Sequence, residues 1–150
     1  MRAAPIMLAV AAALAVAGCA DDGDGRLSKG EYVRAADAIC AEYERRLARL
    51  PEPRNVEELA RLTEQALPIA REGVTRLRGL EPPQELTSRV EEWLERNEEN
   101  VRTIERMRDA ARAGDETRVQ ELASAGADNE AEADRLARAL GLRACAAPDA

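Results

Sequence analysis

The 150-residue chain has no histidine and no phenylalanine, and aromatic residues make up only 2% of it. Without histidine there can be no His-based nucleophile triad, no His-ligated haem and no Glu-x-x-His di-iron bundle. A basic excess is also missing. The 22 Lys+Arg stand against 29 Asp+Glu, a net charge of −7, which argues against a nucleic-acid partner that would want a basic face. No segment alternates with the period of two that marks a half-buried strand. No Cys-x-x-Cys occurs, and no apolar run reaches the roughly 20 residues that a membrane-spanning helix needs.

What the chain does have begins at its N-terminus. Arg2 gives a short cationic start, and residues 3–16 form an apolar run of signal-peptide length. The run ends in Val16-Ala17-Gly18-Cys19. This resembles the bacterial lipobox, an aliphatic residue and two small residues before the acceptor cysteine. The resemblance implies a signal peptide over residues 1–18, removed before Cys19, whose sulfur carries lipid. Two or more acyl chains hold a protein stably on a membrane, at about 0.8 kcal/mol per buried methylene. The expected address is therefore the extracytoplasmic face of the cell membrane. Residues 19–27 then read as a flexible tether, being polar and Gly-containing through Asp21, Asp22, Gly23, Asp24 and Gly25. Loss of Arg2 leaves 21 basic against 29 acidic residues, so anionic lipid would repel the domain.

Residues 28–145 read as four helical stretches. Ser28 and Glu31 form a capping box, and Tyr32, Ala36, Ile39, Tyr43, Leu47 and Leu50 follow at helical spacing until Pro51 and Pro53. Asn55 and Glu58 suggest a second capping box, with a stripe from Leu59 to Leu80 in which Pro68 should produce a kink. The third stretch runs from Leu86 through Val90, Trp93, Asn97, Val101, Ile104 and Met107 to Gly114. Asp115 caps the fourth, which passes Val119, Leu122, Gly126, Asn129, Ala133, Leu136 and Leu140 and closes at Gly141 with Leu142 behind it. Such a pattern predicts an all-α, up-down-up-down four-helix bundle with an aliphatic core, followed by a disordered tail over 146–150. The outer faces carry Glu/Arg mixtures such as Glu92/Arg96, Glu98/Arg102 and Asp134/Arg138, which read as a solvated surface with weak i,i+4 pairs.

With Cys19 given to lipid, Cys40 and Cys145 remain. An even number in an exported domain favours a disulfide, and the alternative is two free thiols. The segments Tyr32-Val33-x-x-Ala36-Asp37-Ala38-Ile39-Cys40, Leu80-x-Pro82-Pro83 and Leu140-Gly141-Leu142-x-x-Cys145, in an Arg-rich and nearly Lys-free chain, are similar to a group of small lipoproteins from high-GC, Gram-positive-type bacteria. The resemblance implies an exported helical bundle in which the two matching cysteines pair, and it implies no activity. A bond between them would be geometrically demanding. Cys40 lies on the order of 15–19 Å along helix 1 at 1.5 Å per residue. The segment from Leu140 to Cys145 reaches at most about 17 Å, so the tail must double back along helix 1.

These features lead to a non-catalytic, lipid-anchored module that binds a protein or small molecule. A structural spacer is the alternative, with an enzyme holding a metal on carboxylates a distant third. No cofactor, no metal and no nucleic-acid partner are expected. One candidate polar pocket emerges: Asn97 and Asn129 fall at stripe positions about equally far from Gly114, with Trp93 one turn away as an apolar wall. The same amides could instead bond each other and fix helix register, which the spacing favours, since an unpaired buried amide costs about 1–3 kcal/mol. Cys19→Ser should abolish lipid attachment and leave an uncleaved precursor or a soluble form. Membrane fractionation with intact-mass measurement checks this, and a substituted protein that still carries lipid mass would remove the lipobox from consideration.

Overall fold

The computed structural model describes residues 25–147. The expected signal peptide, Cys19, most of the tether and residues 148–150 lie outside the described residues. Helix α1 spans Lys29–Leu47, α2 Val56–Arg78, α3 Thr87–Arg112 and α4 Glu116–Leu140, with a 3₁₀ turn over Gln84–Leu86 leading into α3. No described residue is in a strand. The chain is an all-α four-helix bundle.

Helices α1, α2 and α4 start where the sequence supplies a side-chain acceptor for their free amides, whereas α3 follows the 3₁₀ turn with no side-chain cap. The Ser28–Glu31 capping box forms in full, with the Ser28 N–H donating to the Glu31 carboxylate at 3.0 Å. At α2 the side chain of Asn55 accepts the Glu58 N–H at 2.8 Å, but the expected reciprocal half moves by one residue. Glu58 takes the N–H of Arg54 at 2.9 Å and its guanidinium at 2.6 Å. A charge-assisted pair with Arg54 outcompetes a lone neutral N–H at Asn55. Asp115 caps α4 by accepting the Arg118 N–H at 2.9 Å. Pro68 sits on the exposed side of α2, and the helix runs on through it to Arg78 despite the missing amide. Gly141 ends α4 at φ +87°, a left-handed conformation that favours glycine, and the Leu142 N–H closes back on the Ala137 carbonyl at 2.9 Å.

Ion pairs between helices reveal their directions. Arg46–Glu72 and Arg76–Glu42 join α1 to α2, and Arg71–Glu105, Arg78–Glu98 and Arg112–Glu64 join α2 to α3. In each set the residue number rises on one helix as it falls on the next, so neighbours are antiparallel. The expected i,i+4 pairing is thereby displaced, since Glu98 turns to Arg78 and Arg102 to Glu99. Where α3 crosses α4, a Cβ at Gly126 would lie 3.2 Å from the Thr103 methyl. The absence of a side chain there lets the two helices approach closely.

The main core gathers at one end of the bundle, where α1 begins and α4 ends. It holds Tyr32, Ala36, Ile39, Val90, Trp93, Leu94, Ala137, Leu140 and Leu142, all nearly excluded from water. Leu27 and Ala146 pack against its edge. Two expected boundaries therefore shift. The tether was placed through residue 27, but Arg26 donates to the Pro82 carbonyl and the Leu27 N–H to that of Glu81, at 3.1 and 2.9 Å. The disordered tail was placed from residue 146, yet Ala146 belongs to the packed domain, because the disulfide and the buried Leu142 draw it in.

Cys40 and Cys145 are bonded, with Cα atoms 5.1 Å apart across 105 positions of sequence. The tail doubles back as the reach calculation requires, and Asp37 of α1 accepts the Ala144 N–H at 2.9 Å on the way. Cys145→Ser should lower the unfolding free energy by about 3–5 kcal/mol, the chain-entropy value for so long a closed loop. Urea denaturation with and without reductant measures it, and an unchanged midpoint would show that the tail adds nothing to the fold.

Candidate functional site

Helix α1 is short. Its 19 residues rise about 28 Å against about 39 Å for the 26 of α3. Tyr43 stands against Gly73, and Arg46 against Glu72, so α1 ends while much of the N-terminal half of α2 is still to come. Moreover, α1 packs closely on α2, α2 on α3 and α3 on α4, whereas α1 and α4 meet mainly through side chains at the core end. The ring of four helices is therefore open along one seam.

That seam holds a groove of 480 Å³, within the usual range for small-molecule sites. Its floor comes from α2 and α3: Ala70, Val74 and Leu77 from the first, Val101 and Ile104 from the second. Asn97 and Asn100 add amide groups to the α3 side. One wall is α1, with Cys40, Tyr43 and Glu44, and the facing wall is α4, with Glu130, Ala133 and Asp134. The tail from Arg143 to Ala147 bounds one side, tied to α1 by the disulfide.

The two walls sense each other electrically. Partial burial, then Glu130 and Asp134 of the opposite wall, push the Glu44 carboxyl above its usual 4.5. Burial first, then Glu44 and Glu130, push the Tyr43 hydroxyl up to about 12. Among the described residues Glu44, Glu130 and Asp134 have no ion-pair partner. No three metal-ligating side chains among the described residues converge where a metal ion could be held. These carboxylates therefore share a field rather than a coordination sphere.

The amide pair expected at mid-bundle separates. Asn97 lines the groove, and its Nδ2 donates to the Trp93 carbonyl at 2.8 Å. Asn129 is level with Asn100 instead, donating to the Asn100 Oδ1 at 2.7 Å and to the Arg96 carbonyl at 2.8 Å. It clasps α3 to α4 at the edge of the groove, through Asn100, which lines it. The expected register was off by one helical turn, which moved Asn129 off Asn97. Trp93 is no pocket wall: it is 1% exposed and lies in the core one turn behind Asn97. Neither its indole N–H nor the buried hydroxyl of Tyr32 meets an acceptor or donor among the described residues.

Sequence reasoning missed Glu44, Asn100, Glu130, Asp134 and Arg143 as groove residues. The available signal was length. The stretch from Ser28 to Leu50 is shorter than its successors, so one seam had to stay uncovered. No protein family, curated protein or solved structure matches this chain.

The rim charges have a consequence for stability. A carboxyl whose folded pKa is raised binds its proton more tightly in the folded state than in the unfolded one. Below 4.5 both states are protonated and the effect vanishes; as pH rises through the carboxylate range, ionisation favours the unfolded chain. Glu44→Gln should therefore raise the urea midpoint at neutral pH, with the gain fading as pH falls toward 4.5 and absent below it. A gain that is constant with pH would disprove the electrostatic origin.

Proposed function

We propose that this chain is a lipid-anchored, extracytoplasmic binding module, non-catalytic, whose ligand sits in the groove between α1 and α4. One observation carries the reading: a 480 Å³ groove with an apolar floor and a polar, charged rim, drawing residues from all four helices and the tail. A spacer has no use for such a feature, because a solid seam of aliphatic side chains would be more stable than an open one. The disulfide favours the same reading, since it ties the tail down as one side of the groove.

The address rests on Val16-Ala17-Gly18-Cys19 and on the resemblance to small bacterial lipoproteins. A module held on the membrane by lipid, with a polar segment before the bundle, could offer its groove to solutes arriving from outside. It needs no cofactor for that task and no catalytic group.

The test compares native and groove-filled protein. The full chain, purified from its own membranes and then denatured, should release one small molecule in near-stoichiometric amount by mass spectrometry. Val74→Trp, which fills the floor from an already half-buried position, should release none while keeping its helicity and disulfide. Equal yields from both proteins, or none from either, would refute the groove as a binding site.

A further inference from the structure

We propose that the groove accepts a small molecule bearing a protonated amine at one end of a compact apolar body. This rests on the groove being a binding site and adds the sign of the charge it takes.

Three observations point to a cation. The first is where the chain places its own cations. At the α1–α2 and α2–α3 seams, carboxylates meet arginines: Glu42 with Arg76, Glu72 with Arg46, Glu105 with Arg71, Glu64 with Arg112. At the α1–α4 seam Glu44 faces Glu130 and Asp134 with no arginine between the walls, and only Arg143 of the tail lines the groove as a positive group. Negative charge therefore predominates there, and a ligand cation would take the place that arginine occupies at the other seams.

The second is the spread of those carboxylates. Divalent ions need oxygen ligands converging at about 2.0–2.6 Å, and the described residues offer no such convergence. An organic ammonium tolerates longer, partly hydrated contacts, so a diffuse field suits it better than a metal. The Tyr43 ring on the α1 wall adds an aromatic surface of the kind on which cations rest.

The third is the floor. Val74, Leu77, Val101 and Ile104 present hydrocarbon below the charged rim, so the ligand needs an apolar body as well as its charge. A volume of 480 Å³ is of small-molecule size.

The experiment uses the full chain in nanodiscs of zwitterionic lipid, with the methyl groups of Val74, Val101 and Ile104 followed by NMR. The probes are 4-phenylbutylamine, 4-phenylbutanol and 4-phenylbutyrate, which share one hydrocarbon body and differ in charge. The amine should bind roughly tenfold more tightly than the alcohol, as expected for two partly solvated charge contacts, and the carboxylate most weakly. Glu44→Gln combined with Glu130→Gln should bring the amine to the level of the alcohol, and Arg143→Gln should tighten it. Unchanged Leu142 methyl signals confirm that each variant is folded. An alcohol or carboxylate that binds as tightly as the amine would overturn the charge preference and leave the binding reading standing. A lysine-containing peptide that binds the groove more tightly than the amine would also overturn the proposal, in favour of a peptide site. If no probe moves the groove methyls, the binding reading itself fails.

Discussion

A helix of 19 residues cannot cover neighbours of 23 to 26, and most of what is distinctive here follows from that mismatch. Pro51 and Pro53 set the limit, because neither can continue a helix whose preceding turn must already be leaving the α region. Once α1 stops, part of α4 is left packed on α3 without α1 beside it. Four equal helices would close into a solid ring; three and a half leave a seam. Packing alone would be expected to collapse such a seam, since an open apolar surface loses both dispersion contacts and hydrophobic stabilisation. The bond from Cys40 to Cys145 helps resist that collapse. It lays the tail along α1, seats Leu142 in the core and makes the tail one side of the groove.

The aromatic poverty of the chain shapes the remainder. With aliphatic residues and alanine in the core, helices approach closely at Gly126 and Gly73, and the few large side chains decide where the packing is densest. Trp93 and Tyr32 are both placed in the core end near the disulfide. That end consequently holds the largest fully buried side chains of the fold. The groove begins at the edge of this core, at the disulfide, and extends along the last turns of α1 past Tyr43 and Glu44. The core and the candidate site are thus contiguous, sharing Ile39, Cys40, Leu77 and Ala133.

Much of this was legible in the sequence, for reasons that differ from residue to residue. Helix starts at Ser28, Asn55 and Asp115 were readable because a capping side chain acts within three residues of itself. Gly141 was readable because only a left-handed residue lets Leu142 fold back. The bridge was open to inference from the even cysteine count of an exported domain and from the lipoprotein resemblance, and chain reach then set the path of the tail. What stayed hidden depends on rotation between helices. Whether Asn129 meets Asn97 or Asn100 turns on a helical offset of one turn, and residue counts from Gly114 cannot resolve that. Pairing of Glu98 with Arg78 rather than Arg102 is also a tertiary choice, invisible to i,i+4 spacing. The open seam lay between these cases. Its cause, the short first stretch, was in the sequence, but its location between α1 and α4 required knowing which helices neighbour which.

The same like charges that mark the rim also act against the fold. Glu44 faces Glu130 and Asp134 across a gap where Arg143 of the tail is the one arginine among the lining residues, although the chain is rich in arginine and pairs it with carboxylates at two other seams. Repulsion of this kind destabilises the free protein at neutral pH. A substitution as small as Glu44→Gln would relieve it, so retaining it is informative. Strain localised at one site, with its relief one residue away, is what a binding surface requires when its complement arrives from outside. In the proposed reading the ligand supplies the missing cation, and the repulsion between the walls becomes attraction for the ligand. The groove would then be least stable when empty, and binding would be coupled to stability through the same three carboxylates.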